Sequence, residues 1–278
     1  METTYLVAIL GIASAAAFGT ADFCGGLSTK SAPVFGVLTI ARACGLATML
    51  TLARAEHEPI PSGSSVLWAC AAGVAGGLAL PALYRALALG KMGIAAPVTS
   101  VLSAGLPVLL SAVMDGMPRT LQIVGLAVAI MALWLISRPE GKLRPEGLGL
   151  AIFAGLGFGL FLIFMRQATA AVTYWPLAFA LATSLAVALI FLLARGDALP
   201  SLRRLPVVIA SGVLDSFGNY LFILASQRGR LDVAAVLSSL YPAATVLLAR
   251  FVLRERIPRL QLAGLLAALM AVPLIAAR

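Results

Sequence analysis

Ten apolar runs, each near the length that crosses a bilayer, fill this chain almost end to end. Hydrocarbon offers the backbone no water, so a run of about 20 apolar residues is satisfied there only as a helix, whose amides pair within the segment. The runs lie at 4–26, 33–53, 65–88, 94–113, 120–137, 147–165, 175–194, 206–225, 233–252 and 259–276. Between them stand short segments such as STKSAP, RAEHEPIPSGS, DGMPR, RGDALPSLRR and RERIPR, rich in prolines, glycines and charges. This pattern predicts an all-α integral membrane protein of ten transmembrane helices, with no soluble domain. The 61% of hydrophobic residues and mean hydropathy of +1.03 agree, since no single soluble core could bury so much apolar surface. The first run has no basic segment ahead of it and is too long for a cleaved signal, so it is expected to be a retained span.

The net charge of +9 does not point to nucleic acid. No basic patch interleaved with aromatics exists, and the lysines and arginines sit between apolar runs, where lipid headgroups would meet them. Cys24, Cys44 and Cys70 all fall inside apolar runs without metal-ligand spacing, so buried thiols are expected, with no metal and no cofactor.

The second half of the chain repeats the first. At an offset of 139 or 140 positions, Phe18-Gly19 meets Phe158-Gly159, Gly73-Val74 meets Gly212-Val213, Asp115 meets Glu255, and Pro118-Arg119 meets Pro258-Arg259. Leu121-Gln122 then meets Leu260-Gln261, and Gly125 meets Gly264. Small apolar residues match by chance, but Pro-Arg, Leu-Gln and the acids at half the chain length argue for duplication. Residues 1–139 and 140–278 are therefore read as two five-helix repeats. Five is odd, so the second repeat enters the membrane from the opposite side, giving inverted repeats around a central cavity.

Lysine and arginine, which are retained on the cytoplasmic side, give the orientation. The odd-numbered connections between runs carry 13 of them, from Lys30 to Arg259, and the even-numbered connections with the tails carry six. Both termini are therefore expected outside, in the periplasm if the membrane is a bacterial inner membrane. Inverted repeats that rock against each other expose a midplane cavity to each side in turn, which is a transport mechanism.

The closing runs of each half carry a further pattern: Pro242, Glu255, Gln261 and Gly264 in the second, with Ser103, Asp115, Gln122 and Gly125 at the matching places of the first. Here the chain resembles the drug/metabolite transporter superfamily, with its duplicated EamA-type units. In layout it is most similar to the YddG-type exporters of aromatic and other neutral amino acids. The first half departs from the family pattern by Ser103 in place of proline and by Asp115 in place of glutamate. The resemblance implies export of small amphiphilic metabolites across a bacterial inner membrane by alternating access. It implies a small-molecule substrate and a lipid environment, and no obligatory protein partner.

Charges inside a span cost several kcal/mol unless paired or facing water, so each is a site candidate. Asp22, Arg42 and Asp215 qualify. Arg42 would hold a substrate carboxylate; alternatively Asp22 and Arg42, on adjacent helices, neutralise each other. Asp215, whose counterpart in the first half is Gly76, leans towards function, and proton coupling would use it first. The cavity helices of the resembled family carry Phe18, Tyr84, Thr99, Ser100 and Ser103 in the first half here. In the second they carry Phe158, Phe161, Asn219, Tyr220, Ser238, Ser239 and Tyr241. Hydroxyls can bond a carboxylate and aromatic faces can receive an ammonium. The bland alternative is that serines and threonines bond the preceding turn or glue helices together. The glycines of GVAGG (73–77) and GLGFG (155–159) are expected to be close-packing seams, since no strand and no free helix N-terminus makes them a phosphate loop. An integral-membrane lipid-modifying enzyme would need clustered acids or a His/Ser/Asp set; the eleven acids here are scattered and His57 is the single histidine. Exporters of drugs or of other metabolites remain within the same family reading.

Overall fold

The computed structural model describes residues 2–29, 31–89, 92–114, 116–117, 119–136, 145–170, 172–252 and 259–276. These form α1 (Glu2–Thr29), α2 (Val34–Ala55), α3 (Gly63–Leu89), α4 (Met92–Met114), α5 (Thr120–Ile136) and α6 (Pro145–Ala168). They continue as α7 (Tyr174–Arg195), α8 (Leu205–Arg228), α9 (Leu231–Ser238), α10 (Tyr241–Val252) and α11 (Arg259–Ala276), with a 3-10 turn at Leu202–Arg204. Six of these helices, α1 to α3 and α6 to α8, contain segments long and apolar enough to cross a membrane, which makes this a multi-pass membrane protein.

Every apolar run is helical, but the ninth is broken where one continuous span was expected. Pro242 is the cause: it has no N–H to give the Ser238 carbonyl, and its ring crowds that carbonyl. The chain crosses the gap with tight i→i−3 bonds, Leu240 N–H to Leu237 O at 3.2 Å and Ala243 N–H to Leu240 O at 2.9 Å. α7 stops at Gly196, whose φ of 64° gives the left-handed cap that turns the chain back on Leu192 and Leu193.

The most extensive helix contacts form pairs that are interchanged when the halves are exchanged. α3 packs on α6 as α8 packs on α1, α3 on α7 as α8 on α2, and α4 on α6 as α9 on α1; α2 meets α7 and α5 meets α11. The glycine seams repeat this exchange atom by atom. A Cβ on Gly73 would lie 2.3 Å from the Ala180 carbonyl oxygen, and one on Gly212 would lie 2.1 Å from that of Ala41. Gly19 faces the Tyr241 oxygen at 2.4 Å and the Thr245 nitrogen, as Gly159 faces Leu106 at 2.9 Å and the Leu102 oxygen. All these partners stand 139 or 140 residues apart in sequence.

One end of the bundle ties the even-numbered connections together. Glu58, between α2 and α3, accepts the N–H of Thr173 at 2.6 Å and of Trp175 at 2.8 Å, so a carboxylate sits on the N-terminus of α7. Gln227 at the end of α8 donates to Thr169 O at 2.6 Å. Arg230, before α9, donates to Gly116 O at 2.9 Å and pairs at 2.9 Å with Asp232, a fully buried acid in the first turn of α9. At the other end Phe35 of α2 stacks on Phe191 of α7 at 5.1 Å, with the Arg195 guanidinium over the Phe35 ring. Asp115, Pro118, Glu255, Arg254 and Arg256 of the repeat motifs lie outside the described residues, as do the side chains of Gln122 and Gln261.

The seams give a direct test. Gly212→Leu forces α8 off α2 and is expected to cost about 1–3 kcal/mol, read as a lowered Tm in detergent. Gly105→Ala, where a Cβ meets nothing within 4 Å, is expected to leave Tm unchanged or slightly raised.

Candidate functional site

A cavity of about 100 Å³ lies in the middle of the bundle, bounded by α1 to α4 and α6 to α10. Eleven of the residues singled out from the sequence as site candidates line it, among them Phe18, Asp22, Arg42, Ser103, Phe158, Asn219, Ser239, Tyr241 and Asp215. Phe161 and Ser238 are the other two.

Its charged centre is an ion pair between Arg42 Nη1 and Asp215 Oδ2. The partner of Arg42 is thus on α8, rather than Asp22 on α1. The reason is the close crossing of α2 and α8: Gly212 lets the Ala41 carbonyl approach, and one turn beyond it the side chains of 42 and 215 meet. Asn219, one turn after Asp215 on the same face, donates its amide to the Asp215 carbonyl oxygen at 2.8 Å and to Oδ2 at 3.3 Å. Asp22 also faces the cavity and makes no side-chain hydrogen bond to a described residue. Two further polar atoms at the wall are buried without a partner, Asn219 Oδ1 and Ser238 Oγ, on residues only 4% and 2% exposed. Buried orphans of this kind are rare, and here they line an open space.

The wall opposite is apolar, and the repeat offset relates the two. Asp22 corresponds to Phe161 or Leu162, Arg42 to Leu181, Asp215 to Gly76 and Asn219 to Leu80, and every one of these lines the cavity. Gly76 makes room for the Phe161 ring, 3.1 Å from where a Cβ would sit. One side of the cavity, from α1, α2 and α8, therefore carries the charges; the equivalent side, from α3, α6 and α7, carries a hydrocarbon surface. The sequence reading named the charged wall and, of the apolar one, Phe158 and Phe161, and missed its leucines. Leu80, Leu181 and Leu162 are unremarkable alone, and only their register with the charged residues singles them out.

The remaining candidates are structural neighbours of the cavity. Thr99 is buried and donates to Ala151 O at 3.1 Å, joining α4 to α6. Ser100 donates to the Tyr241 hydroxyl at 3.3 Å, a bond between the halves that orients this phenol at the cavity rim. Tyr220 turns away: it stacks on Tyr174 at 5.3 Å and accepts its hydroxyl proton at 3.3 Å. Residues 219 and 220 are about 100° apart on a helix, so Asn219 facing inwards directs Tyr220 to α7. The Tyr84 side chain lies outside the described residues. Among the described residues no cluster of His, Cys, Asp and Glu could hold a metal ion. The arrangement can bind a small molecule with charge at one end and hydrocarbon at the other.

No curated protein matches this chain in sequence. A protein of known crystal structure has a similar fold, with a TM-score of 0.79 over 96% of this chain and 95% of that one, at 19% identity. The model of the EamA-like transporter family matches residues 145–277, the second of the two halves, which supports the resemblance to the drug/metabolite transporter superfamily.

Proposed function

We propose that this protein is a secondary transporter of the drug/metabolite superfamily that exports small zwitterionic amphiphiles, neutral and aromatic amino acids foremost, across a bacterial inner membrane. The observation that carries the reading is the two-sided cavity. A carboxylate displaces Asp215 from part of the Arg42 guanidinium, an ammonium is received by Asp22 or Asp215, and the side chain lies on Phe161, Leu162, Leu181 and Leu80. The orphaned Asn219 Oδ1 and Ser238 Oγ offer the hydrogen bonds a polar head needs. A drug exporter of the same superfamily would have less use for a paired Arg and Asp than for an apolar pocket.

Alternating access is the mechanism we infer. The exchange-invariant helix neighbours and reciprocal glycine seams support two repeats, residues 1–139 and 140–278, in ten transmembrane helices. Connections 2, 4, 6 and 8 tied at one end, and helices α2 and α7 joined at the other end, fit chain reversal at every span and hence inversion. The break at Pro242 lies beside the cavity, where transport sites place their discontinuous helices. The excess of Lys and Arg in the odd connections supports an orientation with the termini and the even connections in the periplasm.

Proteoliposomes preloaded with unlabelled phenylalanine are expected to take up labelled phenylalanine by saturable counterflow. Arg42→Gln and Asp215→Asn should each weaken the apparent affinity about 10–100-fold, the worth of a charge-assisted hydrogen bond. Unsaturable flux, or affinity unmoved in both variants, overturns the substrate class. For the orientation, Ile60→Cys and Leu199→Cys are placed in exposed connections of a chain with Cys24, Cys44 and Cys70 replaced by serine. In intact cells a membrane-impermeant maleimide is expected to label the first and spare the second; the reverse pattern inverts the topology.

A further inference from the structure

A second and separate hollow, a crevice of about 310 Å³, opens between the ends of α4, α6 and α8 and the start of α9. It is reached from the central cavity by moving along the same four helices. Ser103, Asn219 and Ser238 line the cavity; eight residues on from the first two and seven back from the third, Ser111, Gln227 and Leu231 line the crevice, roughly 11 Å nearer the even-numbered connections. At the levels between them on α8 and α9 stand Phe222, Ile223, Val236 and Leu237, all fully buried. They belong to one buried cluster and form an apolar plug between the cavity and the crevice.

Among the described residues the crevice holds one cation, Arg166, and no acidic residue lines it. Arg166 Nη1 is buried and has no hydrogen-bond partner. A guanidinium nitrogen out of water with its donors unmet is costly unless an oxyanion completes it. Gln227, beside it, is held by its amide on Thr169 O and Thr173 Oγ1, so it is fixed at the rim rather than free to collapse into the space. The rim itself is exposed, with Met114 63% accessible, so the crevice opens at the surface of the bundle.

We propose that this crevice is a second oxyanion site on the solute path, in which Arg166 takes the carboxylate that Arg42 holds in the central cavity once the plug between them parts. The proposal rests on the export reading for its place in transport, and on the crevice alone for its chemistry. In that orientation the site lies on the periplasmic side, where an exported zwitterion is released.

The test uses the full chain in uncharged detergent, with sodium acetate and sodium phosphate as probes against sodium chloride of equal ionic strength. The background is Arg42→Gln/Asp215→Asn, which removes the central cation together with its partner. Acetate is expected to raise Tm saturably by about 2–4 °C in this background. Adding Arg166→Gln should abolish the shift, and adding Arg166→Lys, which keeps the charge, should retain part of it. A shift that survives Arg166→Gln overturns the site, and so does an absent shift in a background that still unfolds cooperatively. The source of the anion is separated in nanodiscs of phosphatidylcholine with and without phosphatidylglycerol. If phosphatidylglycerol abolishes the acetate shift and copurifies in an Arg166-dependent way, the occupant is a lipid phosphate and the solute assignment falls. Counterflow measured in parallel keeps the two readings apart. An Arg166-dependent shift without wild-type counterflow sinks the export reading and leaves the site, whereas counterflow with a shift indifferent to Arg166 does the opposite.

Discussion

Close backbone approach at glycine is the constraint on which the rest of this structure depends. In lipid the hydrophobic effect does not drive helix to helix, so contact comes from packing and from polar groups that meet across small residues. Gly212 against the Ala41 carbonyl sets α8 on α2, and Gly73 against the Ala180 carbonyl sets α3 on α7. Serine and threonine add bonds of the same kind, Ser14 to Gly218 O and Ser211 to Ala21 O at 2.8 Å between α1 and α8, and Thr245 to Gly19 O at 3.0 Å between α1 and α10. Any larger residue at these crossings would move the helices that carry the cavity walls.

From equivalent crossings the chain has made unequal walls. Where the α2/α8 crossing holds Arg42 and Asp215, the α3/α7 crossing holds Leu181 and Gly76. Inserting two charges into a membrane bundle costs several kcal/mol, and here mutual pairing and the Asn219 amide offset much of it. A transporter gains from this asymmetry: an amphiphile has one favoured orientation in such a cavity, head on the charged wall and tail on the hydrocarbon one.

The plug and the even-end ties complete the picture. Phe222, Ile223 and Leu237 belong to the largest buried cluster of the bundle, so parting them exposes much apolar surface and is the costly step of any opening. The hydrogen bonds of Glu58 and Gln227 at the same end are part-buried, and that of Arg230 to Gly116 is exposed. They fasten the connections.

Helices were legible in the sequence because the bilayer leaves a long apolar run no other structure, and the boundaries read from it fall within a few residues of those observed. Asp22, Arg42 and Asp215 were legible as well, since a charge in such a run announces itself. The repeat offset was visible in Phe-Gly and Gly-Val, which turn out to sit at helix crossings. Pro242 was read only as part of the family pattern within one continuous span, and the break it makes beside Ser238, Ser239 and Tyr241 was not foreseen. Which acid takes Arg42, the turning of Tyr220 to Tyr174, and the crevice at Arg166 were decided only by the tertiary structure. Periodicity tells which residues share a helix face; it does not tell which face of which helix, tens or hundreds of residues away, comes to lie against it.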